Sequence, residues 1–115
     1  MQATILNGMR RRGSPTETVH KTLVSTLTAR NCHVTPLILK DAEIRPCLGC
    51  FGCWVQTPGR CVLPDTGDIA ASVARSDLVV FLTPITFGGY SSELKKVVDH
   101  LIPNILPFFT QVNGE

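Results

Sequence analysis

Four cysteines lie within fifteen residues of this chain, in the stretch CLGCFGCWVQTPGRC. The spacing is CxxCxxC, followed by a fourth cysteine after seven further residues. Tight turns let three such thiolates converge on neighbouring metal atoms, and this spacing is typical of the ligands of an iron-sulfur cube. The segment therefore predicts a [4Fe-4S] site with Cys47, Cys50, Cys53 and Cys61 as its ligands.

Other interpretations of the same thiols stay open. Structural zinc more often uses two CxxC pairs separated by a longer arm, which makes zinc the second choice. Alternatively, some of these thiols are simply buried beneath Trp54 or pair as a disulfide during isolation. Cys32, remote from the others, is predicted to be a buried free thiol.

The loop NGMRRRGSPTET has the composition of an anion site. Ser14, Thr16 and Thr18 offer hydroxyl groups at the start of a predicted helix, whose free N–H groups and dipole attract negative charge. The arginines at positions 10 to 12 add positive charge, although Ser14 can also act only as a helix cap and the arginines only as solvated residues. The loop has neither a Walker A lysine nor a GxGxxG pattern.

A second loop, TPITFGG, follows a continuous apolar run directly. Its two glycines allow the backbone to approach a flat ligand closely. Phe87 and Tyr90 either pack on that ligand or only cover the core at the end of the strand. The two loops together predict a pocket for a ligand that has a phosphate at one end and a planar ring at the other.

Alternating apolar strands and amphipathic helices position these loops. Residues 3–6, 33–39 and 77–82 are predicted strands, the second at a sheet edge because of Pro36, the third covered on both faces. Ser14, Pro15 and Glu17 mark a helix start with a capping box. The apolar face of that helix is predicted to contain Val19, Leu23, Val24 and Leu27.

The second half of the chain continues this alternation. Asp65 is predicted to open a weaker helix to about Arg75, and a later helix carries Leu94, Val97, Val98 and Leu101. The prolines at positions 103 and 107 predict a broken or extended tail. Strand-helix alternation indicates a parallel α/β sheet of order 2-1-3, with its ligand beyond the carboxyl ends of the strands.

Composition limits the classes of function. The 115 residues are predicted to form one domain over residues 1–115, with 43% hydrophobic and 17% charged residues. A net charge of +2 is too small to indicate nucleic acid or an anionic membrane as a partner. Neither a secretory signal nor an apolar stretch of the ~20 residues that span a bilayer is expected. A cytoplasmic protein is predicted, and a reducing compartment favours metal or redox roles for the cysteines.

The motifs GSPTET, CLGCFGCWVQTPGRC, SDLVVFLTPITFGGYSSELKKVVDHLIP and LPFF together resemble the NADPH-dependent FMN reductase group of the flavodoxin superfamily, and most closely its iron-sulfur flavoprotein branch. The resemblance covers essentially the whole chain. It implies a flavodoxin-like three-layer sandwich, non-covalent FMN, electron transfer with NAD(P)H or another donor, and homo-oligomers in which the cluster lies close to FMN.

The resemblance also implies roles for individual residues. The phosphate-binding loop would contain Arg12, Ser14, Thr16, Glu17 and Thr18. The loop along the isoalloxazine ring would contain Pro84, Ile85, Thr86, Phe87, Gly88 and Gly89. Cys47, Cys50, Cys53 and Cys61 match the cluster ligands of the iron-sulfur members. No side chain is predicted to be a general acid or base, and His20, His33 and His100 are predicted helix, strand-edge and surface residues.

This chain departs from the family in length. Members have further strands and a third flavin loop, so the sequence predicts the N-terminal portion of the usual fold with an open sheet edge. Either the chain is a fragment or truncated form, or another subunit of a homo-oligomer covers that edge. The usual GSPR opening is GSPT here. Two other functions remain open: a non-catalytic redox sensor or electron carrier that uses the thiols from Cys47 to Cys61, and a fold remnant that binds nothing.

Overall fold

The computed structural model of the chain describes residues 1–63, 67–106 and 110–114. The strands are β1 (Gln2–Asn7), β2 (His33–Ile38) and β3 (Leu78–Leu82), and the helices are α1 (Pro15–Ala29), α2 (Gly52–Val55), α3 (Gly67–Arg75) and α4 (Ser92–Asp99). Short 3-10 turns follow β2 at Leu39–Asp41 and α4 at Ile102–Asn104. The predicted tail position Pro107 and the predicted helix start Asp65 lie outside the described residues.

Within the described residues the strands form one parallel sheet of order β2-β1-β3, which confirms the predicted order and the α/β, flavodoxin-like fold class. In this register Ile5 of β1 lies between Pro36 of β2 and Val80 of β3. The central strand is buried from Ala3 to Asn7. Pro36 lies in an edge strand, as its missing N–H predicted.

The expectation that the third strand is covered on both faces is wrong. Leu78 and Phe81 of β3 are exposed, Phe81 to 51%. In the part of the chain that the structure describes, β3 pairs with β1 alone, so its outer side lacks the neighbours that bury β1. A continuous apolar run predicts a strand, but it does not show which other elements cover the faces of that strand.

Helices lie on both faces of the sheet. Leu6 of β1 belongs to the core cluster with Leu94 and Val97 of α4, and Ile69 and Val73 of α3 pack against that cluster. Asn7, the next residue along β1, points to the opposite face and contacts α1 through His20. The predicted apolar face of α1 packs only partly, since none of its residues is buried and Val19 is exposed.

The start of α1 differs from the predicted capping box. Ser14 is the N-cap and Pro15 the first helical residue, as expected, but the Ser14 side chain makes no capping hydrogen bond. Glu17 accepts a hydrogen bond at Oε2 from Gly13 N–H at 2.5 Å, one residue before the donor expected in a capping box. The carboxylate therefore ties down the loop rather than the cap residue itself.

None of the helices in the described ranges is long and apolar enough to cross a membrane.

Candidate functional site

The loops after β1 and β3 meet at the carboxyl edge of the sheet. Gly8 N–H donates to the carbonyl of Leu82 at 2.7 Å, and Ser91 Oγ donates to the carbonyl of Gly8 at 2.7 Å. A Cβ atom on Gly8 would lie 2.5 Å from Ser91 Oγ and 3.0 Å from the Cβ of Leu94. Only glycine allows this close approach, so the first loop and the start of α4 form one connected wall.

Asn7, the last residue of β1, holds the first loop in place by hydrogen bonds. The sequence patterns did not identify this residue. It is fully buried, and its Oδ1 accepts a hydrogen bond from Met9 N–H at 2.9 Å. That bond orients the amide, so Nδ2 donates to His20 Nδ1 at 3.0 Å and joins the loop to α1. The Asn-Gly pair after a buried strand was the available signal for such a turn.

Ser14 carries the most distinctive feature of this loop. Among the described residues, Ser14 Oγ is a buried side-chain oxygen with no hydrogen-bond partner. A buried hydroxyl without a partner costs free energy. The start of α1 lies beside it, where Pro15 has no N–H and Glu17 N–H donates to the carbonyl of Ser14 at 3.0 Å. The Ser14 hydroxyl and the positive end of the α1 dipole therefore suit an anionic group at this position. Thr16 is half-buried and Thr18 exposed on the first turn of the helix.

Charged residues frame this position. The hydrogen bond from Gly13 N–H is the largest cause that lowers the pKa of Glu17, and Lys21, 3.8 Å away, also lowers it. Arg12 Nη2 lies 3.0 Å from Asp41 Oδ2. Because both partners of that pair are exposed, the ion pair is weak and does not hold Arg12 away from the loop.

The second loop contains a tight turn that presents apolar side chains. Thr86 N–H donates to the carbonyl of Gly89 at 2.8 Å, and Gly89 N–H donates to the carbonyl of Thr86 at 3.0 Å. Phe87 and Gly88 between them have φ angles of 48° and 79°, as in a type I′ turn. Phe87 is fully exposed, and Ile85 is largely exposed beside it. Pro84 is half-buried at the base of this loop. A large side chain held at positive φ in solvent is a costly arrangement that suits contact with a ligand.

The predicted cysteine ligands line one pocket. Cys47, Cys50, Cys53 and Cys61 border a cavity of about 70 Å³ that opens to solvent, and His100 also lines it. In the described residues each of these cysteines, and also half-buried Cys32, is a free thiol. Burial raises the pKa of the Cys53 thiol, and the other cysteines of the pocket raise it further.

Backbone N–H groups point at three of these sulfur atoms. Gly49 donates to Cys47 Sγ, Gly52 to Cys50 Sγ and Leu63 to Cys61 Sγ, each at 3.4 Å. Such bonds stabilise sulfur that carries negative charge, as thiolates bound to metal do. Across residues 1–63, 67–106 and 110–114, however, no group of three or more His, Cys, Asp or Glu side chains is arranged to hold a metal ion. Four thiols are suitable ligands for an iron-sulfur cluster. In the described residues, however, their side chains are not already arranged around a common metal position.

Trp54 connects the cysteine segment to the residues that follow α4. Its indole Nε1–H donates to the carbonyl of Ile105 at 2.9 Å and lies 3.3 Å from the carbonyl of Ile102. The ring is half-buried and packs on Phe51 with 4.9 Å between centroids. Trp54 thus fixes the segment after α4 beside the cysteines.

The prediction that His100 is a surface residue is wrong. Its exposed fraction is 4%, because the residue after α4 turns into the cysteine pocket. Its Nε2 lies 2.5 Å from the carbonyl of Arg45, and its Nδ1 lies 3.8 Å from Cys61 Sγ. No spacing in the sequence links His100 to the cysteines, so only the packing of α4 could identify it.

Comparison with known proteins adds to this geometry. Residues 1–111 match the profile of the NADPH-dependent FMN reductase family. The chain belongs to that family. This membership confirms the resemblance drawn from the motifs and supports FMN, a nicotinamide donor and oxidoreductase chemistry at the level of the family.

One curated relative of this chain is an iron-sulfur flavoprotein from Methanocaldococcus jannaschii. The two sequences are 33% identical over 66 residues, which make up 56% of this chain and 33% of the relative. The chain therefore matches about a third of the length of that flavoprotein.

Proposed function

We propose that this protein is an FMN-dependent oxidoreductase that exchanges electrons with NAD(P)H or another donor. The flavin would lie at the carboxyl edge of the sheet, between the loop after β1 and the loop after β3. Family membership supports the cofactor, and the buried, unpartnered Ser14 Oγ at the start of α1 is the observation that supports this site.

The residues of the first loop would hold the phosphate. Ser14 Oγ–H is an unpartnered donor at the positive end of the α1 dipole, and Arg12 and the hydroxyl groups of Thr16 and Thr18 are close in sequence. Glu17 would act through the backbone, because its carboxylate is bonded to Gly13 N–H. We therefore assign Glu17 the role of shaping the loop rather than contacting the anion.

The second loop would hold the ring. Pro84, Ile85 and Thr86 lead into the turn, and the turn presents Phe87 with Gly88 and Gly89 behind it. Apolar contact would exclude water from one side of the isoalloxazine, and Gly88 would let the backbone approach its polar edge closely. When bound, the flavin supplies the two-electron acceptor for hydride chemistry, and the protein supplies binding and orientation.

The phosphate role of Ser14 can be tested by comparing FMN with riboflavin, which lacks the phosphate. We expect Ser14→Ala to weaken FMN binding about ten- to a hundredfold, because a hydrogen bond to a charged group is worth ~1.5–3 kcal/mol. Riboflavin binding should change less than twofold in the same variant. Quenching of flavin fluorescence on titration with protein measures both affinities.

Ser25→Ala is the matched control, since Ser25 is exposed on the same helix and lies more than two turns from Ser14. It should leave the affinity for both flavins unchanged. Equal loss of FMN and riboflavin binding in Ser14→Ala would contradict the phosphate site, and absence of FMN binding by the wild-type protein would contradict the flavoprotein proposal.

A second proposal concerns the cysteine pocket. We infer that Cys47, Cys50, Cys53 and Cys61 hold a [4Fe-4S] cluster that relays electrons to or from the flavin. The shared pocket and the N–H groups directed at three of the sulfur atoms favour this function over four unrelated thiols. The chemistry of the matched flavoprotein relative is consistent with it.

Anaerobic reconstitution with Fe²⁺ and sulfide tests the cluster. We expect about four iron and four sulfide per chain in the wild-type protein, as a cube requires, and loss of most of this iron in Cys53→Ser. Cys32→Ser is the control, because Cys32 lies outside the pocket and should leave iron content unchanged. Zinc bound in place of iron would support the structural-metal alternative, and reversible thiol oxidation without metal would support the redox sensor.

The homo-oligomer, the single domain and the cytoplasmic location stay predictions. The exposed side of β3, with Leu78 and Phe81, is the surface on which a further subunit is expected.

A further inference from the structure

The cysteine pocket contains one buried side chain that is not a thiol and has two polar contacts. His100 caps the C-terminus of α4 and lines the pocket with an exposed fraction of 4%. A buried imidazole needs partners for both ring nitrogens, and both contacts here reach the cysteine segment.

The contact with Arg45 indicates which ring nitrogen of His100 carries a hydrogen. The carbonyl of Arg45 can only accept, so Nε2, 2.5 Å away, carries the hydrogen and donates it. Cys61 Sγ lies 3.8 Å from Nδ1, and in the chain without iron its thiol hydrogen can be donated to the Nδ1 lone pair. The ring therefore has one defined orientation with one role for each nitrogen.

These contacts lie at opposite ends of the cysteine segment. Arg45 precedes Cys47 by two residues, whereas Cys61 is the last cysteine of the run. A single ring at the end of α4 thus reaches the chain both where it enters the pocket and where it leaves.

We propose that His100 is a positioning residue for the cysteine pocket: its Nε2–H holds the entry of the segment at Arg45, and its Nδ1 directs Cys61 Sγ into the pocket. The purpose of this arrangement rests on the proposed function of the four cysteines. The arrangement itself is a property of the chain without iron and can be measured there.

Two pairs of variants of similar shape separate the two contacts. Glutamine places an amide nitrogen near the position of Nε2, and methionine has the same length without a donor, so His100→Gln and His100→Met test the bond to Arg45. Asparagine places an oxygen near the position of Nδ1, and leucine has the same shape without an acceptor, so His100→Asn and His100→Leu test the contact with Cys61.

Amide hydrogen exchange reports the first contact. The N–H groups of Gln56, Thr57 and Gly59 bond within the cysteine segment and should exchange slowly in the wild-type protein. We expect His100→Met to accelerate them about five- to tenfold, as loss of one buried hydrogen bond predicts, and His100→Gln to stay within about twofold of wild type. The amides of β1 are the internal control and should not change.

The rotamer of Cys61 reports the second contact. Three-bond couplings between Hα and Hβ should show a single rotamer in the wild-type protein and in His100→Asn, and averaged rotamers in His100→Leu. Equal behaviour within either pair of variants would show that the imidazole only fills space, and would overturn the corresponding half of the proposal.

The wild-type protein provides a test that needs no variant. Long-range ¹H–¹⁵N spectra of the His100 imidazole should show hydrogen on Nε2 and none on Nδ1, and a ring with hydrogen on Nδ1 would contradict the proposed contacts. These measurements use the full chain without added iron. Failure of iron binding with the expected tautomer and exchange would therefore refute the cluster, whereas iron binding with a mobile His100 ring would refute the positioning role.

Discussion

The carboxylate of Glu17 bonds to Gly13 N–H at the N-terminus of α1, close to Lys21. This environment favours the charged form and lowers the pKa of Glu17 below its usual value. Because this pKa is lower in the folded than in the unfolded protein, the carboxylate stabilises the fold at pH values above the pKa of the unfolded state. This stabilisation is lost as the pH falls through the folded value.

Replacement of Glu17 by glutamine tests this linkage. We expect Glu17→Gln to lower the urea midpoint at pH 7 and the difference from wild type to shrink steadily below the ordinary glutamate pKa of ~4.3. Urea denaturation between pH 7 and pH 3 measures the effect. Glu43→Gln, at an exposed position, is the matched control, and a difference for Glu17→Gln that does not depend on pH would contradict the electrostatic explanation.

For single residues, the sequence predicted which residues are important better than it predicted the atoms they contact. The Ser14 to Glu17 spacing identified the helix start, but a capping pattern does not specify which backbone N–H the carboxylate reaches. His100 could not be identified, since a histidine after a helix has no local signature of burial. The cysteines were predicted because their chemistry requires close spacing along the chain.

Among the elements, α4 has a special position. Its N-cap Ser91 donates to the carbonyl of Gly8 in the first loop and accepts a hydrogen bond from Leu94 N–H within the helix. Leu94 and Val97 bury one side of the helix in the core. The helix is therefore fixed along its length by packing and at its start by the loop contact.

The close approach of Gly8 to α4 gives a stability prediction. Gly8→Ala places a Cβ within 2.5 Å of Ser91 Oγ, so the wall must shift, and we expect a loss of about 1–3 kcal/mol in the free energy of unfolding. Gly89→Ala is the control, because the nearest atom to its new Cβ would be the Thr86 carbonyl oxygen at 3.8 Å. Urea denaturation should show at most ~0.5 kcal/mol of change there, and a similar loss in both variants would exclude the steric explanation.

For the whole molecule, alternation of strands and helices was sufficient to predict a parallel sheet of order 2-1-3. The exposure of Phe81 and Val19 was not predicted, because periodicity marks a face as apolar without showing what covers it. The meeting of the loops after β1 and β3 followed from topology, since the carboxyl ends of parallel strands share one edge. The contact between the cysteine segment and α4 depends on tertiary packing that no local pattern records.

The two buried cap residues of α4 are held at a distance that the length of the helix sets. Ser91 and His100 are nine positions apart, which corresponds to roughly 13–14 Å along a helix that rises 1.5 Å per residue. One inserted residue would rotate the far end by about 100° and turn His100 away from Cys61 while Ser91 kept its place. The number of residues between this serine and this histidine can be counted in the sequence of any family member that has the cysteines. A member with a different number is expected to position its last cysteine with another residue.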